Sequence, residues 1–287
     1  MSRTPHTIRP LLVLGRVSNL PTVWSNCLAG WWLGGAGKTE RLPLLFVGAS
    51  FLYLGGMFLN DAFDIEFDQQ FRTERPIPSG AISLAAVWRW GLLLLGLGGV
   101  CLISLGPRTG VLGVVLVFFI LLYDAIHKRL LLAPVLMGIC RLLLYLIAAS
   151  TALNGMTGAS MWCGLALAIY IAGLSFLARR ESTGGRFRYW PAFFLGAPVA
   201  LALLMNADEY REAALLLSAV LVLWILRALR QTFWSLKPNI GQTVSWLLAG
   251  IAFVDWLAIA DAPRQLGFVF IAFFLCALLL QRVVPAT

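Results

Sequence analysis

Charge is what this sequence has least of. Of 287 residues, 60% are hydrophobic and only 12% charged, with a mean hydropathy of +0.85. A soluble domain carries about 25% charged residues, so these polar side chains are too few to wet a water-facing surface. Paired cysteines are also missing. Cys27, Cys101, Cys140, Cys163 and Cys276 stand singly in apolar stretches, and no Cys-x-x-Cys pair occurs. That spacing indicates neither a zinc site nor a disulfide framework. The cysteines read as small packing residues. Linkers and low-complexity stretches are absent too, so residues 1–287 read as one transmembrane domain.

What the chain has is long apolar runs. They lie near 11–35, 42–63, 83–105, 109–126, 131–152, 161–179, 190–206, 212–231, 242–260 and 265–284. A run of about 20 apolar residues suits a bilayer-crossing helix. Helices are the expected form, because a spanning segment satisfies its own backbone hydrogen bonds. The expected fold is therefore all-α: a polytopic transmembrane bundle of nine or ten helices, with 190–206 the shortest. The first run is long and holds Arg16 and Asn19. It reads as a retained helix, since a secretory signal has a short apolar stretch and a small-residue cleavage site.

The net charge is +9, with 22 Lys and Arg against 13 Asp and Glu. The basic residues cluster between apolar runs, so they report topology and not nucleic acid, which is not expected as a partner. With a cytoplasmic N-terminus and alternating spans, sixteen basic residues fall on the cytoplasmic side and five on the other. Arg141 is left inside a helix. This bias predicts a cytoplasmic N-terminus in an integral membrane protein, in the cytoplasmic membrane if the cell is bacterial. It also brings three polar loops, 60–82, 124–130 and 179–190, to one face.

At the end of the second run the chain reads Asn60-Asp61-Ala62-Phe63-Asp64-Ile65-Glu66-Phe67-Asp68. On a helix at about 100° per residue, Asp61, Asp64 and Asp68 share a face roughly 60° wide, while Glu66 points away. Three carboxylates on one stripe repel one another unless a cation sits among them. Mg²⁺ is the natural ion, because it favours oxygen and is commonly held by one or two carboxylates plus substrate phosphates. Ionisable groups at membrane depth are rare and usually functional. Arg72 and Arg75 follow, then Pro76-Ile77-Pro78-Ser79-Gly80 as a stiff turn and Ser83 as a helix cap. Arginines beside a metal site can grip phosphate oxygens that the metal leaves free.

These residues resemble the UbiA-type intramembrane prenyltransferases. The carriers are N-D-x-x-D-x-x-x-D at 60–68 followed by R-P-I-P-S-G at 75–80. Arg16-Val17-Ser18-Asn19-Leu20-Pro21-Thr22, Tyr123 with Lys128, and Gly138-Ile139-Cys140-Arg141 are similar to other parts of that family. The resemblance covers residues 16 to about 260. It implies a bundle around a central cavity open to the cytoplasmic face. It also implies transfer of a prenyl group from an isoprenoid diphosphate to an aromatic or other lipophilic acceptor, with Mg²⁺ as cofactor and membrane lipids as surroundings. Asn60, Asp61, Asp64 and Asp68 would form the first metal motif, and Arg72, Tyr123 and Lys128 would lie near the diphosphate. Lys128 joins the three aspartates as a catalytic group. Asn19, Arg75 and Arg141 join the substrate-binding set.

The sequence departs from the family where a second aspartate motif is due. There it reads Arg179-Arg180-Glu181-Ser182. Glu181 is the one carboxylate, and Arg179 or Arg180 would stand in for an ion's charge against the diphosphate. Asp124 is open to two readings, a metal ligand or an i,i+4 ion pair with Lys128, and the spacing favours the pair. His127 reads as a surface or interfacial histidine. The basic second motif also motivates a different function, a membrane protein that binds or moves a prenyl diphosphate without chemistry.

Overall fold

The computed structural model describes residues 8–183, 189–205, 211–235 and 237–286; the side chains of 180–183 lie outside the description. All regular structure among these residues is helical. The helices are α1 (Ile8–Leu14), α2 (Leu20–Leu33), α3 (Leu42–Phe63), α4 (Ile65–Phe71), α5 (Leu84–Leu105), α6 (Pro107–Ile126) and α7 (Ala133–Ser150). Then follow α8 (Gly158–Thr183), α9 (Trp190–Phe194), α10 (Ala197–Met205), α11 (Arg211–Phe233), α12 (Ile240–Ala249), α13 (Ile251–Ala258) and α14 (Arg264–Gln281). Among the described residues, eight helical stretches are long and apolar enough to cross a membrane, counting α12 and α13 as one.

Among the described residues each of the ten apolar runs is helical, but three do not form single long helices; the 242–260 run divides into α12 and α13 at Gly250. The first run, expected as one helix over 11–35, breaks at Arg16. That residue takes a left-handed conformation (φ 42°, ψ 49°), and one 3₁₀ turn over Val17–Asn19 leads into α2. Pro21 in the first turn of α2 favours a fresh helix start there. A left-handed non-glycine residue costs about 1–3 kcal/mol. Here the kink turns the guanidinium toward Asp61. The seventh run, 190–206, divides into α9 and α10 around Gly196 and falls short of a span.

Close helix packing rests on small residues, as lipid-embedded bundles require. A Cβ on Gly55 of α3 would lie 2.9 Å from the Gly91 carbonyl of α5, and one on Gly30 of α2 would lie 2.6 Å from the Tyr145 carbonyl of α7. These approaches hold α3 on α5 and α2 on α7, and α2, α3 and α7 carry the buried polar residues Thr22, Ser25, Asn26, Asn60, Asp61 and Arg141.

Helix α3 passes into α4 with little break. Asp64 sits at the junction (φ −86°, ψ 0°), and the i to i−4 bonds Asp64 N to Asn60 O and Asp68 N to Asp64 O persist across it. The carboxylate stripe expected from the sequence therefore forms. Beyond α4, the Pro-rich turn closes with Ser79 N on Arg75 O, and Ile77 buries against Leu14, Phe58, Ala62 and Val87. Ser83 caps α5 by accepting from Ala86 N.

Candidate functional site

One cavity of about 520 Å³ opens among the turn that precedes α2 and helices α3, α4, α6, α7, α8 and α12. Its mouth is polar. Arg16, Asn60, Asp64, Arg72, Arg75, Tyr123, His127 and Lys128 line it, together with the ring of Phe67. Its deeper wall is mostly apolar, with Met137, Ile171, Leu174, Val244 and Leu248, and includes Arg141.

The three aspartates converge at the mouth, but each is held by cations. Arg75 Nη1 donates to Asp61 Oδ1 at 3.1 Å and to Asp68 Oδ2 at 2.9 Å, and Arg16 Nη2 reaches Asp61 Oδ1 at 3.3 Å. Asp64 Oδ1 faces Lys128 Nζ at 2.8 Å and His127 Nε2 at 3.3 Å. Burial works against ionisation of Asp64, yet the contacts from His127 and Lys128 outweigh it and hold its pKa below the ordinary value. Burial of Asp68 outweighs Arg75 and leaves its pKa raised. Burial disfavours charge on His127, but Asp64 overcomes that and raises its pKa.

Lys128 also stands 4.3 Å from the centre of the Phe67 ring, a cation–π contact that fixes its ammonium at the cavity edge. Tyr123 stacks on His127, with ring centres 5.0 Å apart. Arg179 lines the cavity and donates to the carbonyls of Leu130 (2.6 Å) and Leu131 (3.2 Å), in the loop that follows Lys128. Asn19 donates through Nδ2 to Ala286 O at 3.0 Å, bringing the segment after α14 to the cavity wall.

Two expectations are overturned here. Asp124 does not pair with Lys128. It is buried and accepts from Asn60 Nδ2 at 3.1 Å, while Lys128 turns to Asp64. Spacing alone missed this, because α6 ends at Ile126 and Lys128 lies beyond the helix. Of the two readings of His127, surface or interfacial, the surface one does not hold, since the side chain faces Asp64 inside the mouth. Arg180 and Glu181, expected opposite the aspartates, have side chains outside the described residues. Arg179 is placed at the cavity, bonded to backbone.

The sequence reading also passed over a deep polar network. Asp255 of α13 is fully buried and accepts from Tyr145 Oη at 2.6 Å, Asn26 Nδ2 at 2.7 Å and the Ser25 hydroxyl. Arg141 Nη1 in turn donates to Asn26 Oδ1 at 2.6 Å. A signal existed: Asp255 is the one acid in the 242–260 run, and an acid inside a span is rarely idle.

Hard carboxylate oxygens beside basic side chains suit a divalent cation and phosphate. Asp68 Oδ1 and Asp124 Oδ2 are buried and accept no hydrogen bond among the described residues, so donor capacity is left over at the aspartate end. Among the described residues, however, no three acids, histidines or cysteines stand close enough to enclose an ion by themselves. That donor set fits Mg²⁺ held by one or two carboxylates with phosphate oxygens completing the shell.

Fold and site together define a helical membrane protein with an anion- and metal-adapted cavity mouth. The UbiA prenyltransferase family model matches residues 19–284, and the chain belongs to that family. It is an integral membrane protein. Among curated relatives, digeranylgeranylglyceryl phosphate synthase of Ignicoccus hospitalis is 34% identical over 103 residues, 36% of this chain and 34% of that protein. The enzyme of the same name from Sulfolobus acidocaldarius is 34% identical over 121 residues, 41% of this chain and 42% of that protein. A 4-hydroxybenzoate octaprenyltransferase of Edwardsiella ictaluri is 30% identical over 125 residues, 42% of this chain and 44% of that protein. The matched stretches thus span less than half the length of these relatives. Among solved structures, an apo UbiA homolog from Aeropyrum pernix K1 superposes with a TM-score of 0.68 at 16% identity, covering 87% of this chain and 98% of that one. A UbiA homolog from Archaeoglobus fulgidus bound to GPP and Mg²⁺ gives 0.63 at 14% identity, covering 94% and 98%. At these identities the likeness establishes the fold.

Proposed function

We propose that the protein is a Mg²⁺-dependent intramembrane prenyltransferase, moving a prenyl group from an isoprenoid diphosphate to a lipophilic acceptor. The carrying observation is the mouth of the cavity, where Asp61, Asp64 and Asp68 meet Arg16, Arg75, His127 and Lys128 beneath a mostly apolar wall. The family membership supports the reading, as do the names of the relatives, which are prenyl-transferring enzymes.

The roles follow from the contacts. Asp64 and Asp68, with Asp61 behind Arg75, would hold Mg²⁺. When bound, the ion supplies charge stabilisation to the departing diphosphate. The basic side chains that neutralise the aspartates become available to phosphate oxygens once an ion takes over that task. Arg75 and Lys128 then add charge-assisted hydrogen bonds as the carbon–oxygen bond breaks and its electron pair leaves with the diphosphate. Arg72 and Arg16 extend the same grip, and Asn60 fixes Asp124 beside it. Tyr123 presents its ring at the mouth, where an aromatic face favours developing allylic cation charge. The apolar wall receives the prenyl chain and keeps water from the cation. Arg179 holds the loop that carries Lys128. The charge bias supports a mouth on the cytoplasmic side, in a protein read as one domain over residues 1–287.

The test is direct. Membranes containing the protein, given a radiolabelled prenyl diphosphate and a panel of acceptors, should form a labelled lipid product that needs Mg²⁺. Product formation undiminished in Asp64→Ala would remove the catalytic assignment. The second reading, binding or movement of a prenyl diphosphate without chemistry, is favoured by Arg179 standing where a carboxylate was due. Tight binding with no product across the panel would select it.

A further inference from the structure

A second recess lies on the far side of α12 from the central cavity. Val244 and Leu248 of that helix line the cavity, whereas Ser245 and Trp246 line a groove of about 670 Å³ between α11, α12 and α14. Both open at one end of the bundle, since Arg282 in the groove closely precedes Ala286 at the cavity wall. Side-chain bonds to the α12 backbone set the walls of the groove. Trp224 Nε1 of α11 donates to Trp246 O at 2.7 Å, and Gln281 Nε2 of α14 donates to Ser245 O at 2.9 Å. The recess is therefore formed before anything fills it, which lowers the cost of binding there.

The groove is basic without local acids. Arg227 and Arg282 line it, and Arg230, one turn beyond Arg227, lines the adjoining recess. The sequence holds no acid between Glu212 and Asp255, and none after Asp261. Asp255 itself is fully buried and taken up by Ser25, Asn26 and Tyr145. Among the described residues none of the three arginines forms an ion pair or donates a side-chain hydrogen bond. Instead the Arg227 guanidinium stands 5.0 Å from the centre of the Trp246 ring. That contact steadies the cation on an aromatic face and leaves its N–H groups to an outside acceptor. The surface then turns apolar. Leu223 and Leu226 of α11 and Leu275 and Leu279 of α14 are exposed within two turns of the arginines. Both helices are long and apolar enough to cross a membrane. Arginines and tryptophans at the end of such helices, with exposed leucines deeper, stand at the level of lipid headgroups.

We propose that this groove binds one phospholipid of net negative charge, with its phosphate oxygens on Arg227 and Arg282 and its acyl chains along the leucines of α11 and α14. Arginine's planar fork matches phosphate oxygens with parallel hydrogen bonds. A zwitterionic headgroup brings its own cation against the arginines, so the groove selects net charge. Topology alone needs basic residues at helix ends, but it needs neither two helices converging their arginines on one recess nor a tryptophan stacked beneath one of them. The inference does not depend on the prenyl-transfer reading, because α12 separates the groove from the central cavity.

The experiment uses the full chain, purified and stripped of lipid in a neutral detergent. Native mass spectrometry counts bound lipid while phosphatidylglycerol or phosphatidylcholine with the same acyl chains is titrated in. The first phosphatidylglycerol should bind about tenfold to a hundredfold more tightly than the first phosphatidylcholine, the range expected for two or three arginines beside an anionic headgroup. Arg227→Gln combined with Arg282→Gln should remove that preference. Arg89→Gln, which changes an exposed arginine of α5 outside the groove, should leave it intact. Soluble glycerol phosphate should not displace the lipid, because it lacks the chains. Equal binding of the two lipids overturns the proposal, and so does a preference that survives the double variant or falls equally in Arg89→Gln. Displacement by glycerol phosphate would make the groove a site for free anions, and displacement by a prenyl diphosphate analogue with Mg²⁺ would put the lipid in the central cavity. Either result overturns it. If the double variant does not fold, Arg282→Gln alone should reduce the preference about fivefold, and an unchanged preference there overturns the proposal.

Discussion

Lys128 places its ammonium 2.8 Å from Asp64 Oδ1, joining the loop after α6 to the junction of α3 and α4. The two residues are 64 positions apart in sequence. In the proposed function one would hold the ion, and the other would face the leaving group. In the absence of ligands each serves as the other's counter-ion.

Removing Lys128 should therefore cost turnover more than folding. Lys128→Met is expected to lower kcat by about a hundredfold to a thousandfold, the scale of one lost electrostatic contact to developing charge. Thermal unfolding should shift little, since the lysine is more than a third exposed and such pairs contribute about 0–1 kcal/mol. Single-turnover rates beside melting curves in detergent check both halves. A melting loss without a rate loss would mark the lysine as structural.

Metal affinity should rise with pH through the titration of His127. Asp64 raises the pKa of His127 above its ordinary 6.5, so protonated His127 stabilises the ligand-free fold below that range and ceases to as pH climbs through the raised value. Bound Mg²⁺ competes with the imidazolium for Asp64 and expels its proton. Apparent Mg²⁺ affinity in the presence of prenyl diphosphate should thus be greater at about pH 8 than at about pH 6. His127→Gln should flatten the part of this slope that does not come from the diphosphate itself. Calorimetry at the two pH values, in both proteins, reads the difference.

Mg²⁺ alone should bind weakly. With no three acids or histidines among the described residues poised around one point, the shell needs phosphate oxygens. Prenyl diphosphate should strengthen Mg²⁺ binding at least about tenfold, and by reciprocity Mg²⁺ should strengthen diphosphate binding equally. Chelation should abolish transfer. Tight metal binding in the absence of diphosphate would contradict this account.

Gly55→Val should disable the protein from a distance. The first added carbon would meet the Gly91 carbonyl at 2.9 Å, forcing α3 away from α5 and moving the aspartates it carries. Overpacking of this kind costs about 1–3 kcal/mol. A lowered melting temperature together with lost prenyl diphosphate binding is the expected pair of results.

Topology has its own test. A cysteine replacing exposed Gly80 should be labelled by an impermeant reagent only from the cytoplasmic side, and one replacing exposed Met156 only from the opposite side. Labelling of both from one side would refute the alternating arrangement.

The sequence by itself determined the class. Apolar runs of about 20 residues leave a chain few structures other than membrane helices, because lipid offers no partner for backbone polar groups. It also determined the aspartate stripe, since 3.6-residue periodicity is local and α3 continues through Asp64 into α4. Only the tertiary structure decided which charges meet. That Arg16 turns inward depends on a left-handed residue that periodicity does not register. That Lys128 pairs with Asp64 and not Asp124 depends on where α6 ends. The Asp255–Asn26–Arg141 chain joins α13, α2 and α7 across 229 and 115 positions of sequence. Helical patterning states which face a residue occupies on its own helix. Which helix lies opposite is set by the packing of small residues such as Gly30 and Gly55, and that packing brings distant polar side chains together.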